Sequence, residues 1–168
     1  MFSAFLAPMA REGLMDYVIV KWLHILSSTL LFGTGIGTAF YMFSATMGRN
    51  PAVIAAVARN VITADWLFTA TTIVLQPVTG FYLVYIAGMP ITGRWIVWSA
   101  GLYLLAGICW LPVVWLQIQM QRLAADAARR NAGLPALYWR YFRLWIALGI
   151  PAFIALVIVF YLMVAKPV

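Results

Sequence analysis

The sequence predicts an all-α polytopic membrane protein, a single-domain bundle of four transmembrane helices. Three observations predict it. The chain of 168 residues is 65% hydrophobic and 9% charged, where soluble domains carry roughly one quarter charged residues. It contains four apolar runs, each long enough at about 1.5 Å per helical residue to cross a hydrocarbon layer of roughly 30 Å. Its basic residues collect in the connections between those runs, as they do where they orient helices against a bilayer. Nothing is left over for a soluble domain, and the net charge of +7 reads as topological. The lipid bilayer is the expected partner and nucleic acid is not.

The chain opens with a short mixed segment, 1–15, to which no function is given. It lacks a basic n-region and a small-residue cleavage pattern before Trp22, so no cleaved signal peptide is expected. The first span covers about 16–47, with Lys21-Trp22-Leu23-His24 near its start and Gly33-Thr34-Gly35-Ile36-Gly37 at its centre. Tyr17, His24, Ser27, Ser28, Leu31, Gly35, Thr38 and Met42 repeat at three or four residues and share one face. Gly33 and Gly37 fall on the other side, and small residues on both faces predict close helix approach on both, inside the bundle. Arg49-Asn50-Pro51 ends this helix, and a short amphipathic turn through Arg59 leads into the second span, about 61–87. Asp65, Thr69, Thr72, Gln76 and Thr79 lie within about 40° of one line on that helix, a polar stripe that must face the protein because lipid cannot satisfy it.

Gly88-Met89-Pro90 and Gly93 make the next turn. The third span, about 94–122, begins with Trp95 and Trp98 as an aromatic belt and ends in Gln117, Gln119 and Gln121, which are expected to reach headgroups. The segment 122–143 reads as the one sizeable loop, with Tyr138, Trp139, Tyr141 and Phe142 forming a second belt. The fourth span runs over about 137–165. Counting basic residues, Arg49, Arg59, Arg122, Arg129, Arg130, Arg140 and Arg143 stand on one side and Arg11, Lys21, Arg94 and Lys166 on the other. That asymmetry puts the first and third connections in the cytoplasm and both termini outside, in the periplasm for a bacterial inner membrane.

Few residues can carry chemistry. His24 is the one histidine, and an ionisable group within a span suggests a site, a neutral imidazole being a common ligand of haem iron or another transition metal. The plainer alternative has it bonding a headgroup or Ser27. Lys21 lies one turn away, where it either snorkels to the interface or meets an anionic group such as a haem propionate. Asp65 sits toward the far end of the membrane from His24, and a nearby Arg59 or Arg143 is the expected ion-pair partner. Pro77, Pro112 and Pro151 each fall mid-span and free the carbonyls of Ile73, Ile108 and Ala147. Kinks at a shared depth either open a central cavity or are packed by Trp110 and Trp115. The lone Cys109 forms no internal disulfide, and its apolar setting argues against a reactive thiol. No phosphate-binding, zinc-protease, CxxC or serine-elbow motif occurs.

Lys21-Trp22-Leu23-His24-Ile25-Leu26-Ser27-Ser28, Phe32-Gly33-Thr34-Gly35, Ala64-Asp65-Trp66-Leu67, Gln76-Pro77, Trp110-Leu111-Pro112-Val113 and Leu162-Met163-Val164-Ala165-Lys166-Pro167 together resemble a bacterial family of predicted integral membrane proteins of unknown function. The resemblance covers nearly the whole chain and implies four transmembrane helices. Through Trp22, His24 and the glycines that follow, the first span also resembles those of copper-resistance D-type proteins and of the haem-binding protoporphyrinogen oxidases of the HemJ type. That resemblance implies that His24 matches their haem-ligand or metal-site histidine. The lysine that the HemJ type uses in a later span has no counterpart between Lys21 and Lys166, so the oxidase activity is not carried over.

The leading expectation is therefore a small membrane protein that binds a redox cofactor, b-type haem, with His24 as axial ligand and Lys21, Ser27, Ser28 and Gly35 around it. One histidine supplies one imidazole, so a homodimer would be needed to bring two to one iron. Two other classes stand beside it. One is transport of a small solute or copper ion through the kinked centre, with Gln76 and the threonines Thr69 and Thr72 of the polar stripe lining the path; the other is an accessory subunit that binds a membrane-protein partner.

Overall fold

The computed structural model describes residues 2–167, with side chains over 14–167. Its helices are α1 (Phe2–Met47), α2 (Pro51–Ala64), a π-helical turn (Asp65–Thr69), α3 (Ala70–Ile86), α4 (Arg94–Arg129) and α5 (Ala136–Ala165). The segments Leu14–Met47, Pro51–Ile86, Arg94–Arg129 and Ala136–Ala165 are each long and apolar enough to cross a membrane. The protein is thus an all-α, four-span integral membrane protein, as its composition predicts.

Two connections are shorter than the sequence suggests. Asn50 accepts at its side-chain oxygen from the backbone N–H of Ala52 (3.0 Å) and Val53 (3.3 Å), and Pro51 stands at the first helical position. This capped start makes α2 a full helix that runs through the π turn into α3. The expected turn through Arg59 is helix instead. Likewise α4 continues past Arg122 to Arg129, so only 130–135 joins it to α5. The reason is burial: Ala124 and Ala127 pack inward on a helix that lies along α2.

The helices associate as two pairs. α1 packs along α2 and α3, and α4 packs along α5, while α2 against α4 joins the pairs at the arginine-rich end. The tightest core is at that end: Met42, Ile54, Ala58, Met120 and Ala124 are fully buried. Tyr138 is buried there too, bonded at 2.8 Å to Thr46. Thr46 gives its one proton to the Met42 carbonyl (2.8 Å), so the phenol donates to the threonine. Tyr138 and Phe142 are core residues, which corrects their reading as an interfacial belt. On the first turns of α5, they meet Thr46 and Phe43 of α1.

Toward the His24 end the pairs diverge. α1 meets α5 through Phe32, stacked on Phe153 and edge-on to Phe160, each at 5.3 Å between ring centroids. α3 meets α4 through Tyr103, whose hydroxyl donates to the Ile73 carbonyl at 2.8 Å. That carbonyl is the one Pro77 frees, so a phenol from the neighbouring helix satisfies the kink. A cavity of about 450 Å³ lies between the pairs. Trp110 lines it, while Trp115 is exposed and packs on Tyr141. Pro77, Pro112 and Pro151 are not among the residues that line the cavity.

The glycines of α1 do not act as the sequence suggests. A Cβ at Gly33, Gly35 or Gly37 would meet nothing within 4 Å. α1 is therefore not clasped on both faces among the described residues; Gly35 borders the cavity.

Candidate functional site

The polar stripe of the second span is buried along its length: Asp65, Thr69, Thr72, Gln76 and Thr79 each lose nearly all exposure to neighbouring helices. At about 1.5 Å per residue, Asp65 and Thr79 stand about 21 Å apart along the axis. The stripe consequently serves two separate places, one at His24 and one at the carboxyl end of the cavity.

At the first place, His24 is wedged between α1 and α3. Its Nδ1 lies 2.7 Å from the Thr79 hydroxyl oxygen. That hydroxyl also lies 2.7 Å from the Leu75 carbonyl, and a hydroxyl has one proton to give. If it gave the proton to the imidazole, two acceptor oxygens would face each other at contact distance. The threonine therefore donates to Leu75, and His24 donates from Nδ1–H, which fixes the tautomer with the lone pair on Nε2. Among the described residues no hydrogen bond reaches Nε2.

Gln76 holds the backbone under the imidazole. Its amide nitrogen donates to the His24 carbonyl at 2.8 Å and to the Ser27 hydroxyl at 2.5 Å, and Ser27 in turn donates to the same carbonyl at 3.1 Å. Ser27 thus touches the main chain of His24 and not its ring. Gly80 completes the seat: a Cβ there would lie 3.2 Å from Cε1 of His24. Among the described residues it is the one glycine whose missing side chain makes room for the imidazole. The stripe showed Thr79, but nothing in the sequence marks Gly80 as its companion.

The remaining residues of the expected site spread out. Lys21 is exposed, with Nζ 5.6 Å from the Tyr17 ring centroid. Ser28 donates to the Ile25 carbonyl at 2.7 Å, a local bond of α1, and borders a small void with Gln76. Gly35 is three turns away, on the large cavity. Among the described residues no group of three or more His, Cys, Asp and Glu gathers as a metal cage. A metal at this place would rest on one imidazole from this chain.

At the second place, Asp65 accepts at Oδ1 from Thr69 at 3.1 Å, one π-helical turn along. Gln117 of α4 sits beside the same carboxyl and is buried, not at the headgroups. The expected ion pair with Arg59 or Arg143 is absent: among the described residues the one salt bridge joins Arg129 to Asp126. Asp65 turns toward the cavity, whereas both arginines are on exposed faces. π-helical turns widen a helix locally and frequently mark functional positions. Of the cavity residues, Tyr103 and Trp145 carry no sequence signal of their own, while Trp110 and Gln117 read as a kink-packing residue and a headgroup-reaching one.

Fold and site define the class: a four-span α-helical integral membrane protein with its polar groups turned inward. Residues 18–167 match the DUF2269 family, described as a predicted integral membrane protein, and the chain belongs to that family. Comparison with curated proteins and with solved structures returns no match.

Proposed function

We propose that the protein holds a redox cofactor at His24, with b-type haem as the cofactor class. The observation that carries this reading is the division of labour on the imidazole. Nδ1–H is committed to Thr79, which orients the ring and fixes the tautomer, and the Nε2 lone pair is the atom a metal would take. The double clamp by Gln76 on the His24 carbonyl and on Ser27 keeps that ring in place against α3. Lys21, exposed one turn away, offers an ammonium for a propionate. Haem bound there would supply one-electron transfer, and the chain's own part would be to hold and orient one imidazole for it. A second copy of the chain would supply the other. The arginine asymmetry favours an orientation with His24 toward the outer face of a bacterial inner membrane.

The test is an absorption spectrum. Protein purified from haem-sufficient cells is expected to show a Soret band that His24→Ala abolishes and that Thr79→Val shifts or weakens without loss of folded protein. A colourless preparation that haem does not reconstitute, or a band that survives His24→Ala, overturns the reading.

A further inference from the structure

The reading of His24 makes no use of the cavity between the helix pairs, and that cavity has an open side. Its exposed wall residues, Gly35, Ile36, Phe43, Ile150 and Phe153, all belong to α1 and α5, whereas every wall residue from the π turn, α3 and α4 is buried or half-buried. Ile36 is 45% and Ile150 55% exposed. The opening is therefore a slot between α1 and α5, and in a four-span membrane protein it faces lipid. Two aromatic contacts bound it: Phe32 on Phe153 and Phe160 toward the His24 end, and Phe43 on Phe142, 5.8 Å between ring centroids, toward the arginine-rich end. The rise from Phe32 to Phe43 is about 16 Å, close to half of a hydrocarbon layer of roughly 30 Å. Phe32 and Phe153 stand near the middles of their spans, so the slot occupies the leaflet at the arginine-rich end.

Beyond Phe43 and Phe142 stand two guanidiniums. Arg49, just past the end of α1, lies over the Trp139 ring of α5, 5.7 Å from its centroid. Arg143 is one turn past Trp139, and Ile146 and Ile150 continue the same stripe of α5 into the slot. Both arginines are exposed, and among the described residues neither forms a salt bridge; Asp126 is taken by Arg129. A guanidinium stacked on an indole keeps its N–H edge free, and that fork matches the oxygens of a phosphate. Cations at the headgroup end and an apolar slot one leaflet deep thus lie on one continuous seam.

We infer that the α1–α5 slot is a binding site for one anionic phospholipid of the leaflet at the arginine-rich end. The phosphodiester rests between Arg49 and Arg143 beside Trp139, and one acyl chain passes the exposed Phe43, runs between Gly35 and Ile150, and stops at Phe32 and Phe153. The slot's length selects a chain of one leaflet, and the two cations select the head, since a zwitterionic lipid would set its own ammonium against them. Asp65 borders the cavity from the opposite wall, on the π turn, with Thr69 bonded to it, so the phosphate stays at the outer edge, with the arginines. Gly35 and Gly149 border the space from opposite helix pairs, and a Cβ at either would meet nothing within 4 Å. They leave room for the chain and do not mediate helix contact.

The test uses the full chain in phosphatidylcholine nanodiscs holding a minor fraction of phosphatidylglycerol with a diazirine at the middle of one acyl chain. After irradiation, adducts are located by peptide mass spectrometry. They are expected to concentrate at 35–43 and 146–153, and the same probe with a phosphatidylcholine head is expected to label those segments roughly tenfold less. Arg49→Asn with Arg143→Gln is expected to erase most of that preference, each arginine near a membrane surface accounting for roughly fivefold. Gly35→Leu with Gly149→Leu, which fills the slot, is expected to cut its adducts roughly tenfold, while adducts at the lipid-facing Leu104 and Leu111 of α4 persist. His24→Ala is expected to leave the pattern unchanged, which separates this proposal from the cofactor reading. Equal labelling by the two probes, adducts spread evenly over the exposed faces, or slot adducts unmoved in folded glycine variants overturns it. So does displacement of the probe by inorganic phosphate, which marks a site for a soluble anion, or a slot free of adducts in a protein that cross-links as a dimer, which marks a second copy as the occupant.

Discussion

Replacing Gln76 with leucine removes both interhelical bonds of its amide, the 2.8 Å bond to the His24 carbonyl and the 2.5 Å bond to Ser27, at nearly constant volume. Interhelical side-chain bonds in membranes average about 0.6 kcal/mol and reach about 1.7 kcal/mol. Two such bonds give a loss of about 1.2 kcal/mol. The loss stays small because neither acceptor is stranded: the His24 carbonyl keeps the Ser27 bond, and the Ser27 hydroxyl keeps its own acceptor. The direct pair is isolated by a double-mutant cycle of Ser27→Ala and Gln76→Leu, read from unfolding in mixed micelles of rising denaturing-detergent fraction. The coupling is expected at about 0.6 kcal/mol, favourable in the wild type. A coupling indistinguishable from zero would refute the Gln76–Ser27 half of the clamp. A single-variant loss above about 4 kcal/mol would mean that the amide supports something larger than these two bonds.

Two further outcomes follow from the site geometry. Because the protein has one histidine, its imidazole nitrogens are unambiguous in a nitrogen-15 NMR spectrum of the cofactor-free protein, which is expected to show Nδ1 protonated and Nε2 bare. Gly80→Ala, by setting a carbon 3.2 Å from Cε1, is expected to move both signals, and an Nε2-protonated ring or unmoved signals would contradict the assignment. Asp65→Asn is expected to leave thermal stability unchanged or raised, and Arg59→Ala and Arg143→Ala to change it by less than about 0.5 kcal/mol, since none of these charges is paired in the bundle. A loss of about 3 kcal/mol in any of the three would reveal an ion pair.

The four spans were legible because a bilayer demands length and apolarity from each segment independently, and such demands are met locally. The inward stripe from Asp65 to Thr79 was legible for the same reason: one helical line of polar residues has one place to go. Partner choice was not. Whether Asp65 meets Arg59 or looks across at Gln117 depends on which helices lie side by side, and spans that are apolar all round carry little periodic signal for that. Tyr138 reads as a belt residue by its neighbours in sequence, yet it is buried and bonded to Thr46, 92 residues earlier. His24 stood out as a lone ionisable group, but its orientation depends on Thr79 and Gly80, whose meaning appears only once α3 lies against α1.

Tyr103 changes what Pro77 means for motion. A proline in the middle of a spanning helix is ordinarily a swivel, with the segment beyond it able to lean through a range of directions at little energetic cost. Here the phenol pins the open carbonyl to the adjacent helix, so the last turns of α3, which carry Thr79 and Gly80, have one resting angle. Any swing that widened the gap between the two helix pairs would have to break that O–H contact first, in surroundings with no water to take its place. The seat of the imidazole is thus braced by a residue that never touches it.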